Sequence, residues 1–455
     1  MTSGERALYA SSRAGGLRDF RERATKFAPL LNALAITSAG LDSEQGSVVP
    51  LDALAAKLPL SGMIGCIKEA IPVSGLPQTF GLPENRGNAA QRDADIVTRL
   101  RRDGALIVGK SNIATALADW QTENPIYGRT NNPYNLTRTA GGSGGGGAAA
   151  VAAGLVDFDI GTDLIGSIRI PAAFCGVYGL RPTRNIAEPS LWSLVAPDPR
   201  APAPVAVSGV ITLGLGDMER IWEALCGNSP NESSPPIAAC RLSFLEPDPE
   251  ISFGPSVLAA PGVVKKRCIQ AFSYVDVLPP DTIGNVSRIG RAGIQLAINR
   301  IATDFPGYFQ NRKHHRPGSA VPAMPDISTV AENLRSTMKQ RFTETDALVM
   351  PMVPLPPFRH EPKSTLLDCL QNEGGEATVT DGRTSVPYWQ IGAYSAFACL
   401  TDYPSLAVPI GIADDGLPLS VQIMGRPGCE RFLIHIAQKL TEGMPPLPPP
   451  LFSAR

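Results

Sequence analysis

A run of glycine and other small residues constrains the fold of this chain more than any other feature. It spans 141–155 and reads GGSGGGGAAAVAAGL. Glycines permit backbone conformations closed to other residues and allow a second backbone to approach closely. The alanine-rich continuation, 148–155, predicts a tightly packed helix whose N-terminal N–H groups point out of the glycine loop. The loop therefore displays its one serine, Ser143, at the start of a helix.

A second serine and a lysine lie in similar settings. Ser167 follows a glycine in Gly-Thr-Asp-Leu-Ile-Gly-Ser-Ile-Arg, and Lys110 follows the apolar run 105–108. Two serines and a lysine can perform acyl transfer without histidine if burial lowers the lysine pKa from about 10.4. A lysine that merely caps a strand end is the alternative. The histidines offer no simpler base, because all lie outside recognisable motifs and no G-x-S-x-G elbow is present: His314, His315, His360 and His435.

Composition excludes several classes of protein. The 455 residues carry 41 basic and 42 acidic side chains for a net charge of -1, which does not favour nucleic acid or an anionic membrane as partner. The 8 cysteines are scattered, so neither a disulfide framework nor a zinc site is expected. The uncharged stretch 27–41 is too short to cross a bilayer, and the N-terminus has no signal-peptide pattern. We expect a cytoplasmic, loop-rich globular protein with no membrane contact.

Hydrophobic periodicity predicts alternating helices and strands, the pattern of an α/β fold. Helices are expected at 17–35 and at 93–104, the latter with Asp93 near its N-cap and Gly104 as its stop. The other predicted elements are a helix at 148–155, strands at 105–108, 156–160, 347–350, 405–409 and 419–424, a closing helix at 428–440, a loop at 188–204 and a proline-rich tail at 445–450.

One motif is misleading. Residues 104–111, GALIVGKS, satisfy the phosphate-loop pattern G-x-x-x-x-G-K-[ST]. That mechanism needs the four middle residues in a loop whose N–H groups surround a phosphate. Here those residues are the predicted strand, so nucleotide binding is not expected. The glycine loop at 141–147 lacks a following lysine and gives no better case.

The combination of motifs resembles the amidase signature family of serine hydrolases, and in particular its stand-alone bacterial amidases. The segments that carry the resemblance are Ile67-Lys-Glu, Gly109-Lys-Ser-Asn112, Ala118–Gly128, Thr130–Pro133, Gly141–Thr183, Pro404–Pro409 and Gly416–Gly425. The resemblance implies an α/β fold with a mixed central β-sheet flanked by helices on both faces. It also implies one domain over 1–442, with the signature core at 105–183 and a tail at 443–455.

Carried over residue by residue, the resemblance implies a catalytic triad. The family's lysine falls on Lys110, its bridging serine on Ser143 and its nucleophile on Ser167, with the two serines 24 positions apart as in the family. Ser143 is expected to follow a cis peptide bond after Gly142. In the implied mechanism, neutral Lys110 removes a proton through Ser143 while Ser167 attacks the carbonyl, and water then hydrolyses the acyl-enzyme.

The segment before the nucleophile is expected to form the oxyanion hole. Its donors would be the backbone N–H groups of Leu164, Ile165, Gly166 and Ser167 itself. Asp163 and Arg169 would brace this loop, or they form a purely structural pair. Gly142 and Thr162 complete the expected supporting set.

The chain departs from the family pattern beside this chemistry. Gly144 and Gly147 stand where the family has serines, and Ile165 stands where it has glycine. A β-branched residue is unfavourable at positive φ, so either the loop is rebuilt around Ile165 or its donors are misdirected. We hypothesise that Ile165 narrows the cleft and that Ile165→Gly broadens the range of amides cleaved.

We expect the protein to hydrolyse a small-molecule carboxylic amide. The reaction should need no metal and no organic cofactor. The sequence leaves open whether the chain forms a homodimer. Three alternatives stay open: transfer of the acyl group to an amine or alcohol, a glutaminase-like subunit of an amidotransferase complex, and a non-catalytic binding protein. The substrate is not specified. Four aromatic residues could line its pocket, although such residues more often lie in the core: Trp120, Trp192, Tyr388 and Trp389.

Overall fold

The strands of this chain form one large sheet and three two-stranded ribbons. The computed structural model describes residues 16–37, 58–184, 206–226, 234–305, 308, 327–361 and 377–452. The strands are β1 (Leu34–Thr37), β2 (Ile64–Lys68), β3 (Leu106–Ser111), β4 (Glu123–Asn124), β5 (Gly128–Arg129), β6 (Asn131–Asn132), β7 (Asn135–Thr139), β8 (Phe158–Asp163), β9 (Tyr178–Arg181), β10 (Val207–Thr212), β11 (Arg241–Leu245), β12 (Tyr274–Leu278), β13 (Ala347–Pro351), β14 (Thr378–Thr380), β15 (Ser385–Pro387), β16 (Ser405–Ile412) and β17 (Pro418–Gly425).

The large sheet is mixed. Its eleven strands run in the order β1-β3-β2-β8-β10-β9-β16-β17-β13-β11-β12. β2 is parallel to both of its neighbours, β3 and β8, whereas the centre of the sheet from β8 through β17 is antiparallel. β11 returns to parallel pairing with β12 and β13.

The α-helices lie on both faces of this sheet. They are α1 (Gly16–Leu31), α2 (Asp95–Arg102), α3 (Gly145–Ala152), α4 (Arg169–Cys175), α5 (Leu215–Cys226), α6 (Pro255–Ala271), α7 (Val286–Asp304), α8 (Ile327–Glu344), α9 (Ala396–Thr401) and α10 (Glu430–Thr441). Buried residues of α1, α3, α4, α7, α8 and α9 join one hydrophobic core, and those of α2, α5, α6 and α10 join a second one across the sheet. The predicted fold class, a mixed sheet flanked by helices on both faces, is confirmed.

Residues 93–111 differ from the prediction in a way that matters for the site. α2 begins two residues later than expected, and its N-cap is Ala94, without a side-chain hydrogen bond. The expected cap, Asp93, instead accepts a hydrogen bond from Ser74 N at 2.7 Å. β3 continues to Ser111, beyond the predicted end at residue 108. Lys110 therefore lies inside a strand, and the phosphate-loop pattern is a strand as expected.

The glycine loop becomes the first turn of α3. The helix begins at Gly145, earlier than predicted, and all of its residues are buried. A Cβ at Gly146 would lie 2.3 Å from Asn112 N and 2.4 Å from Ala33 O. No side chain fits at that separation, so glycine here lets the helix pack directly on the backbones beside it.

The remaining predicted elements mostly agree with the structure. The strands near 347, 405 and 419 and the closing helix are present with small changes of boundary. The proline-rich tail has no regular structure but packs on the domain, since Tyr134 Oη donates to Pro448 O at 3.2 Å. The predicted loop at 188–204 lies outside the described residues. The seven described cysteines are free thiols.

Candidate active site

The two lysines of the sequence motifs lie on opposite faces of the sheet. In the parallel pairing of β2 with β3, Lys68 lies opposite Ser111, while Lys110 lies opposite Ile67. Successive side chains of a strand point to opposite faces, so Ser111 and Lys68 share a face that Lys110 cannot reach. Lys110 Nζ donates to Pro77 O at 2.7 Å. The expectation that Lys110 contacts Ser143 is therefore wrong.

Lys68 takes the place expected for Lys110. Its Nζ lies 2.9 Å from Ser143 Oγ, and Ser143 Oγ lies 3.0 Å from Ser167 Oγ. Lys68 Nζ also donates to Thr162 O at 3.2 Å, which fixes the amine at the end of β8. Lys68 and Ser143 are fully buried, while Ser167 retains 8% of its surface. The three groups form one chain of hydrogen bonds that opens to solvent only at Ser167.

Lys68 was not predicted as a site residue, although it lies in the Ile67-Lys-Glu motif that contributes to the family resemblance. Ile67-Lys68-Glu69 ends a wholly buried strand that has parallel neighbours on both sides. Functional side chains collect at the carboxyl ends of such strands. A polar residue at the end of that strand was the available signal.

Burial decides the protonation state of both lysines. Desolvation lowers the pKa of Lys68 to about 7, although the negative charges of Asp159 and Asp163 oppose this shift. Desolvation likewise lowers the pKa of Lys110 to about 8, opposed by Glu69. Near neutral pH a substantial fraction of Lys68 is thus uncharged and able to accept a proton.

The glycine loop holds Ser143 at the centre of this chain. The Gly142–Ser143 peptide bond is cis, as expected. A Cβ at Gly142 would lie 2.5 Å from Asp119 O, so the loop packs against the backbone of 119–121. Thr122 Oγ1 donates to Gly141 O and accepts from Gly145 N, both at 2.8 Å. The hydroxyl of Thr122 therefore closes the loop around Ser143.

Asp163 and Arg169 brace the segment that precedes the nucleophile. Arg169 donates from Nε at 2.9 Å and from Nη2 at 3.0 Å to the two carboxylate oxygens of Asp163. Both side chains are fully buried. Burial raises the pKa of Asp163, but the charges and hydrogen bonds of Arg169, together with Arg181, outweigh it and hold this pKa well below its usual range. Such a bidentate pair fixes geometry as well as charge.

The same carboxylate changes the expected oxyanion hole. Asp163 Oδ1 accepts from Gly166 N at 2.7 Å, so this N–H, predicted as an oxyanion donor, is directed into the protein. The backbone N–H groups of Leu164, Ile165 and Ser167 have no partner among the described residues. These three remain available as donors beside Ser167 Oγ.

Ile165 does not occupy the strained position that the sequence suggested. The positive φ of the loop, +96°, falls on Gly166, and Ile165 has none. Trp120 Nε1 donates to Ile165 O at 3.1 Å, and both side chains are nearly buried. The loop is thus rebuilt around Ile165 rather than distorted by it.

An open cavity of about 580 Å³ ends at the two serines. Its walls are mostly apolar, and its charged groups are Asp119, Arg300 and Asp304. The apolar and small residues that line it are Ala116, Leu117, Trp120, Leu164, Ile165, Ala206, Ala297, Ile301 and Phe305. Arg300 and Asp304 pair with each other at 2.7 Å on α7. The cavity gives Ser167 a mostly apolar opening to solvent.

Of the four aromatic residues considered for the pocket, Trp120 lines the cavity. Tyr388 packs edge-on against Trp120, with ring centroids 5.5 Å apart, and its hydroxyl donates to Asp119 Oδ1. Trp389 is buried under Arg291, 4.3 Å from the ring centroid. Trp192 lies outside the described residues. The cavity therefore has one aromatic wall supported by a second ring.

The described residues contain neither a candidate metal site nor a candidate membrane span. Within them, no group of three or more histidine, cysteine or acidic side chains is placed to hold a metal ion. Within the same ranges, no helix combines the length and apolar character needed to cross a membrane.

Comparisons with known proteins show the family to which this chain belongs. The family model Amidase matches residues 17–251 and 314–434. The amidase-family protein AmiB2 of Mycobacterium tuberculosis is 30% identical over 414 residues, 86% of this chain and 83% of its own length. Among solved structures, a bacterial aryl acylamidase of the amidase signature family has a TM-score of 0.71 at 20% identity, covering 94% of this chain and 92% of its own. A 6-aminohexanoate cyclic dimer hydrolase has a TM-score of 0.69 at 22% identity, covering 95% and 94%. The chain thus belongs to the amidase signature family and is an amide hydrolase.

Proposed function

We propose that this protein hydrolyses a small-molecule carboxylic amide through an acyl-enzyme on Ser167, with Ser143 and Lys68 as the proton path. The observation that carries the proposal is the hydrogen-bond chain from Lys68 Nζ through Ser143 Oγ to Ser167 Oγ, with steps of 2.9 and 3.0 Å. Both serines line the cavity, and Ser167 is the member of the path that keeps solvent exposure, at 8%.

The chain of hydroxyls defines the first half of the reaction. Neutral Lys68 takes the proton of Ser143, Ser143 takes that of Ser167, and Ser167 Oγ forms a bond to the amide carbon. As the tetrahedral intermediate collapses, the C–N bond breaks and the leaving nitrogen receives the proton back through Ser143. An amine or ammonia departs, and the acyl group remains as an ester of Ser167.

Water completes the reaction by the same path. A water molecule gives a proton to Ser143 as Ser143 passes its own proton to Lys68, and the water oxygen attacks the ester carbon. The carboxylic acid leaves as Ser167 recovers its proton, so the enzyme returns to its starting state. Lys68 suits both halves because its lowered pKa, about 7, lets it accept and return a proton near neutral pH.

The backbone N–H groups of the loop before Ser167 donate hydrogen bonds to the negative charge that develops on the carbonyl oxygen of the substrate. We assign the oxyanion hole to the N–H groups of Leu164, Ile165 and Ser167, and exclude Gly166 because its N–H donates to Asp163. A single donor of this kind contributes about 2.7–4 kcal/mol to barrier lowering. The Asp163–Arg169 pair positions the loop without touching substrate.

The proposal is tested by covalent labelling of the nucleophile. A fluorophosphonate probe should modify Ser167 in the wild-type protein, with the site identified by peptide mass spectrometry. Ser167→Ala should abolish the label, and it should abolish amide hydrolysis as well. A wild-type protein that is never labelled would instead support a non-catalytic binding protein.

Product analysis separates hydrolysis from acyl transfer. Aryl, alkyl and amino-acid amides are supplied with and without hydroxylamine, and the acid, the amine or ammonia, and the hydroxamate are quantified. Hydrolysis predicts equal amounts of acid and released nitrogen in water alone. Turnover that requires an added amine or alcohol would overturn hydrolysis in favour of transfer, and turnover that requires a co-purifying subunit would favour the amidotransferase alternative.

A further inference from the structure

Two glycines at the start of α3, Gly144 at its N-cap and Gly147 in its first turn, cover two buried charged groups. A Cβ at Gly144 would lie 3.5 Å from Lys68 Nζ, and a Cβ at Gly147 would lie 2.1 Å from Asp159 Oδ2. Positions three apart on a helix are neighbours on one face, with Cβ atoms about 5–6 Å apart. The Lys68 amine and the Asp159 carboxylate therefore both lie beneath the N-terminal end of α3. Both glycines stand where the family has serine, and the space at Gly147 is filled by the carboxylate.

Asp159 is an incompletely paired carboxylate in the core. It is fully buried, accepts from Ser111 Oγ at 2.8 Å and from Cys66 Sγ at 3.2 Å, and both bonds go to Oδ1. Oδ2 has no hydrogen-bond partner among the described residues. A buried carboxylate held by two neutral donors is costly to maintain, so a role beyond packing is expected of it.

The strand pairing places Asp159 on the same face as the catalytic lysine. Cys66 and Asp159 are direct partners of β2 and β8, and Lys68 follows Cys66 by two residues on that face. Beyond Asp159, the charged or titratable groups facing Lys68 are Cys66 on β2, whose pKa burial raises, and Asp163 on β8. Asp163 is already neutralised by Arg169, while α3 contributes no titratable side chain. Asp159 is thus the facing carboxylate that no arginine neutralises.

We infer that Asp159 is a positioning residue that sets the proton affinity of Lys68 by its negative charge, in the space opened at Gly147. This inference rests on the proposed role of Lys68 as base. Among the described residues Asp159 is hydrogen-bonded to Ser111 and Cys66 rather than to Ser143 or Ser167, and it does not line the cavity, so it acts through Lys68. Its charge favours the ammonium form and so keeps burial from lowering the lysine pKa further.

The sign of the effect follows from that charge. Ser167 is activated when Lys68 is neutral, so its reactivity rises with pH through the pKa of Lys68. Burial raises the pKa of Asp159 to about 6. The carboxylate is therefore ionised above that pH, where most of the increase in Ser167 reactivity occurs. Asp159→Asn keeps the shape and an acceptor for Ser111 but removes the charge. The pKa of Lys68 then falls, and the rise moves to lower pH.

The experiment measures the rate of Ser167 modification by a fluorophosphonate from about pH 5 to 9, which needs no knowledge of the substrate. For Asp159→Asn we expect the midpoint of the rise to move down by about one pH unit relative to wild type. The matched control is Glu69→Gln. Glu69 follows Lys68 directly, but its buried carboxylate faces the opposite side of the sheet, where it accepts hydrogen bonds from Thr79 and Phe80. Its midpoint should equal that of wild type.

A second variant guards against misfolding of Asp159→Asn. Asp159→Ala with Gly147→Ser fills the vacated space with a neutral side chain, and its midpoint should move down in the same direction. An unchanged midpoint in a folded variant, or an equal shift in Glu69→Gln, overturns the inference. Lys68→Met distinguishes failure of the underlying mechanism, because a pH-dependent rise that persists without Lys68 refutes Lys68 as base as well.

Discussion

Two buried lysines on neighbouring strands contact different groups, because their side chains lie on opposite faces of the sheet. Lys68 at the end of β2 contacts the hydroxyl of Ser143, which lies 3.0 Å from that of Ser167, while Lys110 on β3 contacts the carbonyl of Pro77 and lies near Glu69. Both side chains are fully buried and burial lowers the pKa of each. Burial and pKa therefore do not identify a catalytic lysine. The face of the sheet does, because it decides which groups the amine meets.

The buried carboxylates on the two faces of the sheet also differ in the number of hydrogen bonds that they accept. Glu69 accepts four hydrogen bonds from Thr79, Phe80 and Tyr127, which order the segment around 79–80. Asp159, on the face of Lys68, accepts two, and its second oxygen has no partner in the part of the chain that the structure describes. A fully satisfied carboxylate is typical of a structural group, whereas a partly satisfied one retains its electrostatic influence on neighbours.

The largest expected effect comes from the same substitution at the two lysines. Lys68→Met removes the base and should lower kcat by about 10³-fold or more, equivalent to about 4 kcal/mol of barrier. Lys110→Met should retain at least about a tenth of wild-type kcat, because its amine meets no reacting group. Steady-state kinetics on one active amide measures both, with circular dichroism to show that each variant is folded. Equal losses in two folded variants would contradict the assignment of faces.

A smaller effect is expected from the arginine that braces the nucleophile loop. Arg169→Lys keeps the charge but cannot bond both oxygens of Asp163, so Gly166 and its neighbours lose their fixed position. We expect kcat to fall about 10–100-fold with a smaller change in KM. The matched control is Arg241→Lys, since Arg241 on β11 makes the same two-oxygen contact with Asp346, which directly precedes β13 and does not line the cavity.

Arg241→Lys should leave kcat near the wild-type value while lowering the melting temperature. A loss of kcat in Arg241→Lys comparable to that in Arg169→Lys would mean that both pairs act through general stability. In that case Asp163 and Arg169 are a structural pair, the alternative that the sequence left open.

Sequence patterns predicted the layers of this fold, because these depend on local periodicity, and both serines of the hydrogen-bond chain were identified from the glycine loop and the family resemblance. The lysine was misassigned for a long-range reason. Lys110 and Lys68 both end apolar runs, and only the register Lys68–Ser111 between two strands decides which one faces α3. Gly166 was misassigned as a donor for a similar reason, since its N–H is taken by the carboxylate of Asp163, three residues earlier. Asp159 carried no motif, and its role depends on the space at Gly147.

The smallest expected effect concerns Ile165, whose side chain lines the cavity and reaches toward α7, where a Cβ at Gly293 would lie 3.2 Å from Ile165 Cδ1. Ile165→Gly should broaden the range of amides cleaved, raising kcat/KM for bulkier acyl groups about tenfold. A panel of amides of graded size measures this, and an unchanged or narrower range contradicts the hypothesis. Ile165→Ala removes most of the side chain without the freedom of glycine. Broadening in both variants means that volume limits the substrate, whereas broadening in Ile165→Gly alone means that loop rigidity does.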